Sequence, residues 1–297
     1  MLQFLPAPVL GAISFMLYLI NTILWATPIV VFGLVKALLP ITPVQKGLSK
    51  ILHFFAGSWV TCNSGILALT RKVNWQVTGI DNPMLKTNDW FLVISNHQSW
   101  TDILVLQHVL NRKIPFLKFF LKQELIKVPV LGLAWWALDF PFMKRYSKSY
   151  LAKHPEMKGK DKETTKKACE KFRHMPISVM NFVEGTRFTP AKKQRQNSPY
   201  QNLLKPKSGG ISFVLDALGD QIQNIVDVTV HYSTKNNSFW DFCCGRIPTI
   251  KVDVKVIQRP ADLVGDYETD KAYRTQFQGW LNSIWQAKDQ QLSQLQK

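Results

Sequence analysis

The sequence predicts an α/β fold, a central mixed sheet flanked by helices, behind an amino-terminal membrane-anchoring helical segment. Two observations carry this prediction. Residues 4–40 hold a single charge, Lys36, whereas everything after Arg71 alternates short β-rich runs with amphipathic stretches. A boundary near residue 71 follows, with a helical region over 1–71 and an α/β domain over 72–297.

The first run exceeds the roughly 20 apolar residues that span a bilayer. It lacks the basic leader and the small-residue cleavage site of a signal peptide. Asn21, Thr22 and Pro28 near its middle leave two forms open, one spanning helix or two half-length helices of a re-entrant hairpin. Lys36, Lys46, Lys50, Arg71 and Lys72 all follow the run, so the positive-inside bias puts the remainder on the cytoplasmic side. A weaker apolar stretch, 51–70, carries His53, Ser58, Asn63 and Ser64 and reads as an interfacial helix.

Beyond it, strands are expected at 75–79, 91–95, 114–117, 140–143, 177–183, 225–231 and 250–257. Helices are expected at 101–110, 122–138, 162–174, 209–218 and from Lys271 onward. Segments 145–160 and 192–200 read as loops, and the Gln-rich tail 286–297 as a frayed helix end.

The net charge of +17 calls for an anionic partner. From Lys144 to Lys207 there are 17 Lys and Arg against 5 Asp and Glu, so the excess is concentrated centrally. Basic residues interleaved with aromatics on a nucleic-acid module are missing, which argues against nucleic acid and for an anionic membrane surface or substrate. Cys62, Cys169, Cys243 and Cys244 show neither metal-ligand nor disulfide-framework spacing and read as reduced structural thiols.

Two constellations carry chemistry. In Asn96-His97-Gln98-Ser99-Trp100-Thr101-Asp102, an apolar strand runs into a turn and an apolar helix follows. On one continuous helix His97 and Asp102 would lie roughly 140° apart. With His97 in the turn and Asp102 in the first helical turn, a carboxylate can meet one imidazole nitrogen and leave the other to take a proton. A substrate hydroxyl can then serve as the nucleophile, with no serine required. Alone, the pair reads more often as a satisfied turn histidine and a helix cap than as a catalytic couple.

The second constellation, Asn181-Phe182-Val183-Glu184-Gly185-Thr186-Arg187-Phe188, is again strand then turn, with Gly for close approach and Arg for a phosphate. Lys122 lies between the two, ahead of Glu124, Pro129 and Gly132. Leu203-Leu204-Lys205-Pro206-Lys207-Ser208-Gly209-Gly210 opens a helix whose exposed amides suit an anion.

In this order, NHxxxxD, KxEL, FVEGTRF and LLxPKxGG resemble the motifs of the 1-acylglycerol-3-phosphate acyltransferase (PlsC-like) family over roughly residues 72–232. The whole chain is similar to its bacterial YihG-like branch. The resemblance implies a glycerolipid acyltransferase-like sheet domain in which His97 is the general base and Asp102 orients it. It implies that Glu184, Gly185, Thr186 and Arg187 bind the glycerol phosphate, Arg187 on the phosphate itself. Lys122, Asn96 and Lys207 complete the expected substrate-binding set.

The implied donor is acyl-CoA or acyl-carrier protein, without metal or bound cofactor, and the implied acceptor is a membrane lysophospholipid, most simply 1-acyl-glycerol-3-phosphate. Lysophosphatidylglycerol, lysocardiolipin and glycerol-3-phosphate are the other acceptors to weigh. The implied location is the bacterial inner membrane, facing the cytoplasm. One departure bears on acceptor preference: where the family has a proline in an apolar strand, this chain reads Ile225-Val226-Asp227-Val228.

Overall fold

The computed structural model describes residues 2–143, 153–154, 156, 171–263, 265–267 and 269–296. Its centre is a six-stranded mixed sheet of order β1-β8-β7-β2-β6-β3. The strands are β1 (Asn74–Thr78), β2 (Phe91–Ser95), β3 (Leu117–Phe119), β6 (Ser178–Phe182), β7 (Asn224–Tyr232) and β8 (Thr249–Gln258). Strands β7, β2, β6 and β3 are mutually parallel, and β8 joins β7 antiparallel and β1 in parallel. Strands β4 (Leu121–Lys122) and β5 (Phe142–Met143) form a separate two-stranded ladder.

Every residue of β2 is buried, as its unbroken apolar run requires of a strand covered on both faces. Phe91 and Val93 face one core cluster, Leu92 and Ile94 the other. The first cluster takes in α1 (Ala7–Leu38), α2 (Thr42–Thr70), α3 (Thr101–Leu110), α4 (Leu131–Ala137) and the five-residue α7 (Phe239–Cys243). The second takes in α6 (Gly209–Leu218) and α8 (Lys271–Leu295). The six-residue α5 (Pro190–Arg195) lies between β6 and α6 in the chain.

The course of the chain creates a crevice. From β2 it passes through α3 to β3, on the far side of β6; from β6 it passes through α6 to β7, on the far side of β2. Adjacent parallel strands whose connections depart in opposite directions leave an opening at their carboxyl ends. That opening lies beyond Ser95 and Phe182, which are register partners.

Of the two forms open for the first apolar run, the structure has the single helix. Pro28 sits inside α1, and Thr27 Oγ1 donates to Ile23 O at 2.8 Å next to the ladder bond that proline removes. Helix α2 turns back along α1. Asn21 Nδ2 donates to Trp59 O at 3.2 Å and to Asn63 Oδ1 at 2.9 Å, so the residue expected to break the helix joins it to its neighbour. Both helices are long and apolar enough to cross a membrane. Phe15, Ile20, Leu24 and Val31 on α1 are exposed, and α4 and α7, which pack on α1, add exposed Leu133, Trp136 and Trp240. Lys36 at the end of α1 pairs with Asp139. The helix pair shares its buried core with the sheet, so the boundary at residue 71 separates composition more than packing.

Other expectations are corrected. The third strand lies at Leu117–Phe119 rather than 114–117. The helix expected over 122–138 divides into β4, a 3-10 turn at Gln123–Lys127 and α4, because Pro129 lacks a donor and Val130 adopts φ 63°. The strand expected at 140–143 is β5, outside the main sheet. Part of the loop expected at 192–200 is α5, started by Thr189, whose hydroxyl accepts from Lys192 N at 3.2 Å. Helix α7 had no counterpart in the sequence reading, and the tail is firm helix to Leu295 with Lys288 and Leu292 buried. The helix expected at 162–174 and the loop at 145–160 fall mostly outside the described residues, which show only a 3-10 turn at Lys171–His174. Cys62, Cys243 and Cys244 are free thiols.

Gly33 permits the closest approach of α1 to α4: a Cβ there would sit 2.3 Å from Ala137 Cβ and 3.0 Å from its Cα. Gly33→Leu is expected to destabilise the protein by about 1–3 kcal/mol, the usual range for overpacking. Thermal unfolding in mild detergent checks this, and an unchanged Tm would show that the helices part freely.

Candidate active site

The turn after β2 is built around Asp102, which is fully buried in the first turn of α3. Its Oδ2 accepts from Gln98 N at 2.7 Å, from Ser99 N at 2.9 Å and faces His97 Nδ1 at 2.8 Å. Its Oδ1 accepts from the Tyr232 hydroxyl at 2.5 Å. Burial, reinforced by the adjacent Asp102, pushes the Tyr232 phenol well above its usual range, which keeps it a donor. Four donors thus converge on one carboxylate, which folds the turn and sets the plane of the imidazole. Phe182 stacks on that imidazole, centroids 3.9 Å apart and 12° from parallel. Of the two ring nitrogens of His97, hydrogen bonds among the described residues engage only Nδ1, on the Asp102 side.

Glu184, at the turn after β6, is also fully buried. Its Oε1 accepts from His97 N at 2.8 Å and its Oε2 from Leu204 N at 2.9 Å. Phe188 N donates to His97 O at 2.7 Å and Lys207 N to Val183 O at 2.8 Å. The three motif loops are therefore tied at one point. Burial pushes the Glu184 carboxyl from its ordinary 4.5 up to about 7; the two amides and the Lys288 ammonium pull the other way, and Asp102 adds to the rise. Gly185 takes φ 69°, and a Cβ there would lie 3.1 Å from Lys207 Cδ and Nζ.

The residues expected to bind substrate divide. Arg187 is exposed, its guanidinium 4.9 Å from the centroid of Trp100, itself 56% exposed. Thr186 Oγ1 accepts from Lys192 Nζ at 2.8 Å, and Lys192 also donates to Arg187 O at 2.9 Å. Exposed Lys207 flanks Gly185. Lys122 is exposed on β4, in the separate two-stranded ladder, three residues past the end of β3. Asn96 is not a substrate-facing group. It is fully buried, its Nδ2 donating to Val230 O and its Oδ1 accepting from Val230 N, both at 2.9 Å, so it extends the β2–β7 pairing.

The sequence reading missed Tyr232, Lys192, Trp285 and Lys288. Lys192 was legible as a base within the motif's reach. The other three meet the site across the sheet, with no local signal. Among the described residues, no group of three or more His, Cys, Asp or Glu side chains is placed to hold a metal ion.

An imidazole backed by a carboxylate, at the switch point of a parallel sheet, beside an exposed arginine, can deprotonate a hydroxyl held by an anionic group. Residues 75–233, which contain both turns, match the family described as Acyltransferase. The chain belongs to the Acyltransferase family.

Several curated relatives are similar to this acyltransferase at low identity. It is 26% identical over 257 residues to a probable 1-acyl-sn-glycerol-3-phosphate acyltransferase 5 of Arabidopsis thaliana, covering 82% of this chain and 63% of that protein. It is 26% identical over 288 residues to a 2-acyl-1-lysophosphatidylinositol acyltransferase of Saccharomyces cerevisiae, covering 82% and 70%. It is 25% identical over 280 residues to lysocardiolipin acyltransferase 1 of Mus musculus, covering 88% and 69%. Among solved structures, the 1-acyl-sn-glycerophosphate acyltransferase PlsC from Thermotoga maritima superposes with a TM-score of 0.47 at 16% identity, over 92% of this chain and 97% of that one.

A buried acid with a raised pKa weakens folding as pH rises, because the unfolded chain ionises first. For Glu184 the loss accrues between about 4.5 and 7. Glu184→Gln does not titrate, and its amide can accept from only one of the two backbone donors. The stability gap between wild type and variant is therefore expected to be widest near pH 5 and to narrow toward pH 8. Urea unfolding in mild detergent at both pH values checks this, and a gap that widens toward pH 8 would be the opposite sign.

Proposed function

We propose that this acyltransferase is membrane-bound and transfers a fatty acyl group from acyl-CoA or acyl-carrier protein to the free hydroxyl of a lysophospholipid, with 1-acyl-glycerol-3-phosphate as the acceptor and phosphatidic acid as the product. The observation that carries the reading is the His97–Asp102 couple, 2.8 Å apart in the crevice, with Nε2 on the side away from Asp102.

In the proposed reaction His97 Nε2 removes the acceptor's hydroxyl proton as the oxygen attacks the thioester carbonyl carbon. The tetrahedral adduct collapses by breaking the C–S bond, and the departing thiolate takes the proton back from the imidazolium. The new C–O bond is the ester. A positioned base is worth about 10²–10⁴ in rate for so weak a nucleophile. Asp102 holds the tautomer that leaves Nε2 basic. Arg187, stacked on Trp100 and one residue before the Phe188 amide that binds His97 O, is suited to grip the acceptor phosphate beside the base.

A membrane acceptor agrees with two apolar helices and with exposed Trp100, Trp136 and Trp240, a residue type favoured at the membrane–water interface. The inner bacterial membrane, with the site toward the cytoplasm, is the location this reading carries.

A second reading keeps the chemistry and changes the headgroup. Relatives named for lysophosphatidylinositol and lysocardiolipin match about as well as the one named for 1-acyl-sn-glycerol-3-phosphate. Acyl transfer from labelled acyl-CoA in membranes carrying wild type or His97→Ala separates these. The acceptors offered are glycerol-3-phosphate, 1-acyl-glycerol-3-phosphate, lysophosphatidylglycerol, lysophosphatidylinositol and lysocardiolipin. Transfer to 1-acyl-glycerol-3-phosphate that falls by at least about 10²-fold in the variant is expected. Preference for lysophosphatidylglycerol, lysophosphatidylinositol or lysocardiolipin favours the second reading, and equal transfer by both proteins removes His97 from the reaction.

A further inference from the structure

The carboxy-terminal helix α8 lies beyond the segment that matches the family, yet it reaches the catalytic turn through a chain of hydrogen bonds. Trp285, fully buried, donates from Nε1 to Leu204 O at 3.0 Å. Leu204 N in turn donates to Glu184, whose other oxygen holds His97 N. One turn on, Asp289 accepts from Gln201 N at 2.7 Å and Asn202 N at 2.6 Å. The 201–204 loop is thus fixed to α8 at three backbone positions before it meets Glu184.

What seats α8 is Lys288. It is only 1% exposed, and its ammonium lies 2.7 Å from Asp227 Oδ1. It also donates to Val228 O at 2.7 Å and to Thr229 Oγ1 at 2.9 Å, which puts all three contacts on β7. A buried ammonium survives only with such partners. The charge on Lys288 also reaches Glu184 directly.

We propose that Trp285 and Lys288 are positioning residues for acyl transfer, holding the Leu204–Glu184–His97 chain in the register that aims the imidazole. The proposal rests on His97 being the base. The functional residues of this enzyme therefore extend past the matched segment to its final helix.

The test uses the purified full chain in detergent micelles, with labelled palmitoyl-CoA as donor and 1-acyl-glycerol-3-phosphate as acceptor. Trp285→Phe deletes one donor and keeps the ring. The double variant Asp227→Asn with Lys288→Met removes both buried charges together, which spares the fold the unpaired charge that either single change would leave. Circular dichroism confirms that both are folded, and His97→Ala is the inactive control.

In both variants kcat is expected to fall about tenfold with KM for the acceptor unchanged, the pattern of a lost transition-state contact. Amide hydrogen exchange is expected to quicken in peptides 95–99 and 201–206 but not in 91–94. Wild-type kcat in both folded variants overturns the proposal, as does a loss that appears only in KM. If wild type transfers no acyl group, or His97→Ala is as active as wild type, the functional reading has failed instead. Exchange then decides alone: unchanged rates at 95–99 overturn the positioning role, and faster rates support it.

Discussion

The site depends on one buried carboxyl. Glu184 receives the amide of His97 on one oxygen and the amide of Leu204 on the other, so one side chain joins the two segments. The arrangement is costly, since burial pushes this acid up to about 7. Its two backbone bonds offset part of that cost and tie the 201–204 loop to the His97 turn. The residue expected from sequence to bind substrate is thus better described by what it holds than by what it could touch. Arg187, three residues further on, is exposed, and the partly buried Thr186 hydroxyl accepts from Lys192.

The sheet explains why two distant motifs meet. Strand β2 is flanked by β6 and β7, and its connection departs opposite to that of β6, so the two turns open into one crevice. Asn96 fastens the turn to β7 from one side and Tyr232 fastens Asp102 from the same strand. The amino-terminal helices press on this same sheet through the first core cluster, so a change of depth in α1 and α2 would carry the crevice with it.

Much of this was legible in the residues. The apolar runs of β2, β6, β7 and β8 and the amphipathic stretches of α3 and α6 follow their expected periods, and both motifs lie at strand ends as read. Misreadings have local causes. Residues 122–138 have helical composition, but Pro129 and the left-handed Val130 break them. The tail looked frayed because it is rich in Gln. Its buried face, Phe277, Leu281, Trp285, Lys288 and Leu292, keeps helical spacing with a lysine in a core place. Asn96 looked like a binding residue because polar side chains in a motif usually face the ligand, whereas here the amide stands in for a strand. Tyr232 and Lys288 were out of reach, because their partners lie 130 and 59–61 residues away and only sheet order brings them together.

The most direct measurement of the central claim, an imidazole held in one tautomer and orientation by Asp102, is the steady-state rate of acyl transfer by Asp102→Asn. Asparagine keeps the size of the side chain but offers one acceptor oxygen where the turn and imidazole require several. A fall in kcat of about 10²–10⁴-fold with KM for the lysophospholipid little changed is expected, as for a base left in the wrong tautomer. A folded Asp102→Asn enzyme working at the wild-type rate would contradict it and place the base elsewhere.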